Sequence, residues 1–403
     1  MSTRATTPLR VALISAEYPP RPGGVGDYTQ QLGRALAARG HTVFVFTIHE
    51  SRFTIYHVSS PSLDPPSTVD LRPAGWGWRS WRAVRTALAA TRPDLLHIEY
   101  QTGAYGMHPA INLLPWRLRQ SQHRPRVVVT AHDLLLPYLL PKAGALRRWV
   151  TRRLLRDADA VIVTNAADVA AAAGYCGPAS QPVLIPIGSN IAVAPPPEYA
   201  REAWRTRLGA DSATTLVAYF GLISRTKGLE TLIDALGRLP STVRLLLIGG
   251  AATTAEDRAY AAAIERQIAE RGLGARVQRT GHCAPAEVSA YLLAADIAAL
   301  PFSDGASFRR GSLLAALAHG LPVITTAPAG ALPSTPARLG DGANMLLVPA
   351  GDAPSLAQAI GRLQRDPQLC ERLRQGGQAL ARQFSWEAIA EQHDVLYHQL
   401  ARR

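Results

Sequence analysis

"RVALISAEYPPRPGGVGDYTQQLGRALAARGHTVFVFT", residues 10–47, sets the reading of the whole chain. Two apolar runs, 10–15 and 42–47, flank an amphipathic stretch at 25–39, and a turn with three glycines in four positions joins the first run to it. A near-continuous apolar run fits a parallel strand covered on both faces, and the segment between fits its covering helix. The glycine spacing is GGxG rather than GxGxxG. It serves either as a conformational turn or as an anion site built from backbone N–H groups and a helix N-terminus.

The same alternation continues outward. Strand patterns follow at 95–100, 126–131, 160–165 and 183–187, with helix patterns at 79–91, 145–156 and 166–173. After the prolines at 195–197 it restarts, with strands at 216–221, 243–249, 277–281, 297–302, 322–326 and 345–350. Helix patterns at 228–238, 255–271, 285–294, 311–319 and 353–365 separate them, and a last one runs over 385–400, opened by Ser385. A proline linker between two strand–helix series predicts two doubly wound α/β domains, whose ligands sit at the C-terminal ends of the strands.

Composition narrows the function. The 403 residues are 47% apolar, enough for two cores. No apolar run approaches the ~18 residues of a membrane span, and "MSTRATTPLR" lacks the apolar centre of a signal peptide. Three cysteines without metal-ligand spacing predict a reducing, cytoplasmic setting with no zinc site and no disulfide framework. The net charge of +13 invites an anionic partner, but no nucleic-acid-binding motif accompanies it, so none is expected.

Three further stretches carry candidate chemistry. "YFGLISRTKGLETLIDAL" places Arg225 and Lys227 between a strand and a helix, where lysine suits a phosphate or simply meets solvent. "PFSDGASFRRGSLLAALAHGLPVITT" (301–326) places Arg309, Arg310 and Gly311 before a helix opened by Ser312, another anion-receptive end. His132 closes the strand "RVVVTA" and is either a ligand contact or a core histidine.

In this order the segments resemble the GT-B glycosyltransferases of family 4, retaining sugar-nucleotide transferases. "EYPPRPGGVGDYTQQLGRALAARGHTV", "VVVTAHDL", "ADAVIVTN", "VLIPIGSNI", "YFGLISRTKGLETLIDAL", "LLLIGG", "HGLPVITT", "GANMLLVPAGDAPSLAQAI" and "FSWEAIAEQHDVLYHQL" carry the resemblance from about residue 9 to 400. It implies two Rossmann-like domains facing across a cleft: 1–190 on the acceptor side, 191–384 binding the sugar nucleotide, and a helix at 385–403 crossing back to the first. It implies transfer of a hexose from a nucleotide-diphosphate sugar to a glycan or lipid-linked hydroxyl, without cofactor or metal. Gly23 and Gly24 would then admit the donor, His132 would stand beside the transferred sugar, and Lys227 would hold the diphosphate.

The chain departs from that family at three places. Leu222 stands where an arginine is usual, with Arg225 as a substitute. Ser307 and Ala315 stand where a pair of glutamates is usual. Asp304 lies close enough to replace the first glutamate. Donor contacts are therefore expected from Arg225, Asp304, Ser307, Arg309, Arg310, Gly311 and Ser312, with Arg309, Arg310 and the helix N–H groups clamping phosphate while Asp304 and Ser307 meet sugar hydroxyls. A second class of function follows from the missing glutamates: a non-catalytic relative that binds a nucleotide or partner and regulates glycan assembly. On the acceptor side, Trp78 in "GWGWRSWR" and Arg148, Arg152 and Arg156 on one helix face read either as packing and solvated surface or as contacts with an acceptor or an anionic membrane. On the same helix Leu146, Trp149, Val150 and Leu154 are expected to share the apolar face.

Overall fold

A computed structural model describes residues 7–21, 23–58, 67–68, 75–121, 124–134, 144–177, 181–250, 254–328 and 338–402. The chain divides into two units: Met1–Ile187 together with Trp386–Arg403, and Gly188–Ser385.

The first unit holds β1 (Arg10–Ser15), β2 (Thr42–His49), β3 (Arg52–Val58), β4 (Ser67–Thr68), β5 (Leu95–Tyr100), β6 (Arg126–Ala131), β7 (Ala160–Val163) and β8 (Val183–Leu184). They form one eight-stranded sheet in the order β4-β3-β2-β1-β5-β6-β7-β8. The strand order reverses between β1 and β5, which are parallel neighbours. Helices α1 (Gly24–Ala38), α2 (Ser80–Thr91), α3 (Ala110–Arg119), α4 (Gly144–Asp157) and α5 (Ala167–Ala173) join the strands. The alternation along β1 shows both faces covered. Val11 and Leu13 pack with Leu32 and Leu36 of α1 and with Ile389 and Tyr397 of the C-terminal helix (Trp386–Ala401). Ala12 and Ile14 pack instead with Val84 of α2 and Leu114 of α3. Each such fully buried aliphatic side chain contributes about 1.5–3 kcal/mol.

Two elements of this unit depart from the periodicity. β3 pairs antiparallel with β2 through a two-residue turn whose central residues, Glu50 and Ser51, both have positive φ (47° and 62°). That conformation usually calls for Asn-Gly or Asp-Gly, so "ES" hides the hairpin. α3 contains Pro115 in its interior, a residue that argues against a helix. Ile111, Leu114 and Leu118, all buried on one face, hold it in place.

The second unit holds α6 (Arg201–Arg207), β9 (Thr215–Gly221), α7 (Leu229–Leu236), β10 (Val243–Gly249), α8 (Ala255–Glu270), β11 (Val277–Arg279), α9 (Pro285–Ala294), β12 (Ile297–Leu300), α10 (Gly311–Ala318), β13 (Val323–Thr326), β14 (Leu346–Val348), α11 (Ala353–Arg365) and α12 (Pro367–Ala381). Its six-stranded sheet runs β11-β10-β9-β12-β13-β14, parallel throughout. The order reverses between β9 and β12, so the loops that leave these two strands flank the point where such sheets take ligands. α6 and α12 are further additions to the periodicity. β12 stops at Leu300 because Pro301 has no N–H to continue the ladder.

Candidate active site

In the second unit, the loops after β9 and β12 are fastened to each other. Ser303 donates its N–H to the Thr226 carbonyl at 3.1 Å and its hydroxyl to the Arg225 carbonyl at 3.1 Å. Gly228 has φ +63°, and a Cβ there would fall 1.9 Å from the Pro301 carbonyl oxygen. Only glycine satisfies both constraints.

This fastening brings Lys227, Phe302, Arg310 and Ser312 together. Lys227 Nζ lies 5.1 Å from the centre of the Phe302 ring and the Arg310 guanidinium carbon 4.8 Å from it. Burial, and next the positive charge of Arg310, bring the Lys227 ammonium down to about 8, against the pull of Asp304. A side chain on Gly221 would meet both Lys227 Nζ and Ser312 Cβ, at 3.8 and 3.9 Å. Ser312 Oγ is buried without a hydrogen-bond partner, and no side chain caps the first turn of α10. Two cations, an orphaned hydroxyl and an uncapped helix start are together the chemistry that suits a multiply charged anion.

The other residues of these loops are arranged differently from the expectation. Asp304 accepts both its hydrogen bonds from Arg310, so two residues assigned to different parts of a donor are engaged with each other. Arg225 stands off from the group: its guanidinium, 72% exposed, lies 5.6 Å over the Tyr260 ring and 3.9 Å from Glu256. Arg309 is exposed, and the Ser307 carbonyl accepts the Arg310 N–H at 3.1 Å. Ala315 is fully buried in α10.

In the first unit, what approaches the glycine turn is the chain itself. A Cβ on Gly23 would strike the Glu17 carboxylate at 2.1 Å, and one on Gly26 would lie 2.9 Å from the Glu17 backbone. Gly24 faces open space. Beyond the end of β6, His132 donates Nε2–H to Glu99 Oε2 at 2.9 Å and presents its ring edge-on to Tyr28, 4.7 Å between centres. Glu99 is completely buried. Burial pushes its carboxyl up, but His97 and then the His132 hydrogen bond outweigh this and hold it below the usual carboxylate range. Sequence reasoning missed Glu99. Its signal was a carboxylate inside the apolar run "LLHIEY", on the same strand face as His97.

The acceptor-side candidates separate. Trp76 is buried against Phe53 and Tyr105, and Trp81 donates Nε1–H to the Ala110 carbonyl at 2.9 Å. Trp78 is 49% exposed and leans edge-on against Trp81. On α4, Arg148, Arg152 and Arg156 are exposed, with Arg152 over the Tyr175 ring. The expectation that Leu146 and Trp149 share the buried face of α4 is corrected: Val150 and Leu154 are buried, whereas Leu146 and Trp149 are exposed. Arg153 lies within cation–π distance of both Trp149 and the exposed Trp116 of α3, which turns that face outward.

A depression of about 1110 Å³ in the first unit is lined by Arg85, Arg92, Arg117, Arg124 and Arg126 beside Trp81. It opens at the N-terminal ends of β5 and β6, the wrong end of the sheet for this site. Among the described residues, His41, Asp394 and His398 bring potential metal-ligand atoms within 4.8 Å of one another. The Leu9 N–H donates to His41 Nδ1 at 3.2 Å, so the proton of neutral His41 sits on Nε2, where it meets Asp394 Oδ1 at 3.1 Å. A metal at Nε2 would require the opposite tautomer, and the chemistry of the trio is that of a hydrogen-bonded latch.

Residues 23–188 match the family model described as glycosyl transferase 4-like domain, and residues 214–366 that of glycosyl transferases group 1. The chain is 29% identical to a D-inositol 3-phosphate glycosyltransferase of Corynebacterium urealyticum, over 97% of this chain and 96% of that protein. It is 25% identical to a GDP-mannose-dependent alpha-(1-6)-phosphatidylinositol monomannoside mannosyltransferase of Mycobacterium tuberculosis, over 94% and 96%. Among solved structures, a sucrose-phosphate synthase from Thermosynechococcus elongatus superposes with a TM-score of 0.67 at 29% identity, covering 97% of this chain and 99% of that one.

Proposed function

This chain belongs to the group 1 glycosyl transferases of the GT-B fold and is a nucleotide-sugar glycosyltransferase, and from that premise we propose that it moves a hexose, with retention, onto a hydroxyl of a lipid-linked or polymeric glycan. The reading rests on one observation above the others: Lys227, Arg310 and the unpartnered Ser312 hydroxyl converge at the start of α10. There the donor diphosphate is held, and the charge that grows on the leaving phosphate is met by fixed cations and helix N–H groups rather than by a metal. In the first unit, we assign His132 to contact with a sugar.

The bond from the anomeric carbon to the phosphate oxygen breaks while the acceptor oxygen bonds to the same face of that carbon. The acceptor proton passes to the departing phosphate oxygen. Glu99 is no candidate nucleophile, because it is completely buried and already accepts from His132. The non-catalytic reading gains no support, since the relatives above are named as transferases and a synthase.

The exposed Trp116, Trp149 and Leu146 beside Arg148, Arg152 and Arg153 form a surface suited to an anionic interface, which favours a lipid-linked acceptor and a peripheral position on the cytoplasmic face of the membrane. No helix among the described residues is long and apolar enough to cross one. Calorimetric titration with ADP, GDP and UDP, followed by transfer assays with the matching sugar nucleotides, tests the reading. Binding of a diphosphate that Lys227→Ala weakens by about 10²-fold is expected, and equal binding by both proteins overturns it.

A further inference from the structure

We propose that Glu99 is the positioning residue of His132, and that the C-terminal helix completes its seat through Tyr397 and His393. The inference rests on the reading that His132 meets the transferred sugar.

Glu99 is a buried carboxylate near the C-terminal end of the central strand β5, and among the described residues its ionisable partners are histidines rather than lysine or arginine. Its Oε2 accepts from His132 at 2.9 Å, while Oε1 lies 3.6 Å from His97 Nε2 and has no hydrogen-bond partner. The groups that face it come from five segments. β5 supplies His97, and β6 supplies Thr130, with His132 just beyond its end. The C-terminal helix supplies His393 and Tyr397, α1 supplies Tyr28, and the loop after β5 supplies Tyr105. The Tyr105 hydroxyl is spent on the backbone carbonyls of Ile14 and Glu99, at 3.2 and 3.1 Å, and offers the carboxylate nothing. His97 is fixed from both ends, by Thr130 Oγ1 at 2.7 Å and by the Tyr397 hydroxyl at 2.6 Å. His393 gives its Nδ1–H to the Ile389 carbonyl at 2.8 Å, which leaves Nε2 toward Tyr28. Burial brings His393 down to about 4, so it is neutral at physiological pH.

A buried carboxylate with one hydrogen-bond donor depends on that donor. Glu99 therefore fixes two properties of His132. The ring plane is set by the hydrogen bond, and the proton of the neutral ring is held on Nε2. Nδ1 is the atom left to face substrate. Tyr397 and His97 act behind Glu99, one layer further from the chemistry.

The test uses the full chain. Nitrogen NMR of the neutral His132 ring in the parent protein should show Nε2 protonated and Nδ1 bare. A neutral ring protonated on Nδ1 overturns the proposal without any variant. Glu99→Gln should lower kcat 10-fold or more with KM little changed, and the Nε2-protonated signature of His132 should be lost from the nitrogen spectrum. Tyr397→Phe should change both in the same direction by less. His132→Ala separates the two levels. If it transfers sugar at the parent rate, the assignment of His132 fails. If it is inactive while Glu99→Gln keeps the parent kcat and the parent nitrogen spectrum of His132, the positioning role alone fails.

Discussion

Arg310 and Asp304 are bound to each other, six residues apart in one loop, with the guanidinium carbon 4.8 Å from the centre of the Phe302 ring that Lys227 also approaches. Arg310 is thus held half-neutralised, and Lys227 forms no ion pair among the described residues. Asp304→Asn should free Arg310 and strengthen nucleotide-diphosphate binding a few-fold, whereas Arg310→Ala should weaken it about 10-fold or more. Titration calorimetry with a nucleoside diphosphate reads both, and weaker binding by Asp304→Asn would assign that carboxylate to the ligand instead.

Lys227 carries its charge only below about 8 in the unliganded protein. Diphosphate affinity should therefore fall as pH rises from 7 to 9, through the range in which the ammonium deprotonates. Lys227→Arg, which stays charged, should bind with little change over the same interval. A parent affinity that is flat across it contradicts the assignment.

The three turn glycines should separate on substitution. Gly26→Ala meets backbone and should cost roughly 1–3 kcal/mol of stability. Gly23→Ala meets the Glu17 side chain, whose carboxylate can swing away but whose Cβ, at 3.0 Å, must give slightly, and should cost less. Gly24→Ala meets nothing within the unit and should leave thermal stability unchanged. Loss of transfer in a fully stable Gly24→Ala protein would show that a ligand, rather than the fold, excludes a side chain there.

Acid should loosen the first unit. The folded chain holds His393 at about 4, below its ordinary 6.5, so the unfolded chain binds the extra proton more readily between those values. The stabilisation is complete above 6.5 and is lost as pH falls toward 4. His393→Gln, which cannot titrate, should shift the acid-unfolding midpoint to lower pH, followed by circular dichroism.

Sedimentation with anionic vesicles tests the outward face of α3 and α4. The parent should pellet at low salt and be released as salt rises, and Trp116→Ala with Trp149→Ala should abolish pelleting. Equal pelleting by the double variant would remove this face from membrane contact.

The strand–helix alternation made most of both units legible, because buried parallel strands leave long apolar runs. What escaped was held by contacts distant in sequence. α3 survives its proline only because Ile111, Leu114 and Leu118 are buried, and β3 is joined by a turn of unusual composition. The phosphate loop was readable because strand, loop and helix start are contiguous. Glu99 was visible as a misplaced charge, but its histidine stands 33 residues away and the tyrosine that fixes His97 stands 300 away. Arg225 shows the reverse case: sequence proximity suggested a role in the anion site, and Tyr260 with Glu256 draws it aside.

Ile389, Ala390 and Tyr397, all fully buried, close the α1 side of the first unit's sheet. They are synthesised only after the whole of the second unit. The first unit, whose sheet begins at residue 10, therefore cannot bury Leu13, Leu32 and Leu36 completely until the second unit has been synthesised in between. The unit that starts first is completed only after the second. Fragments ending near residue 190 should be sticky and prone to aggregate, while the second unit, continuous from Gly188 to Ser385, should survive alone.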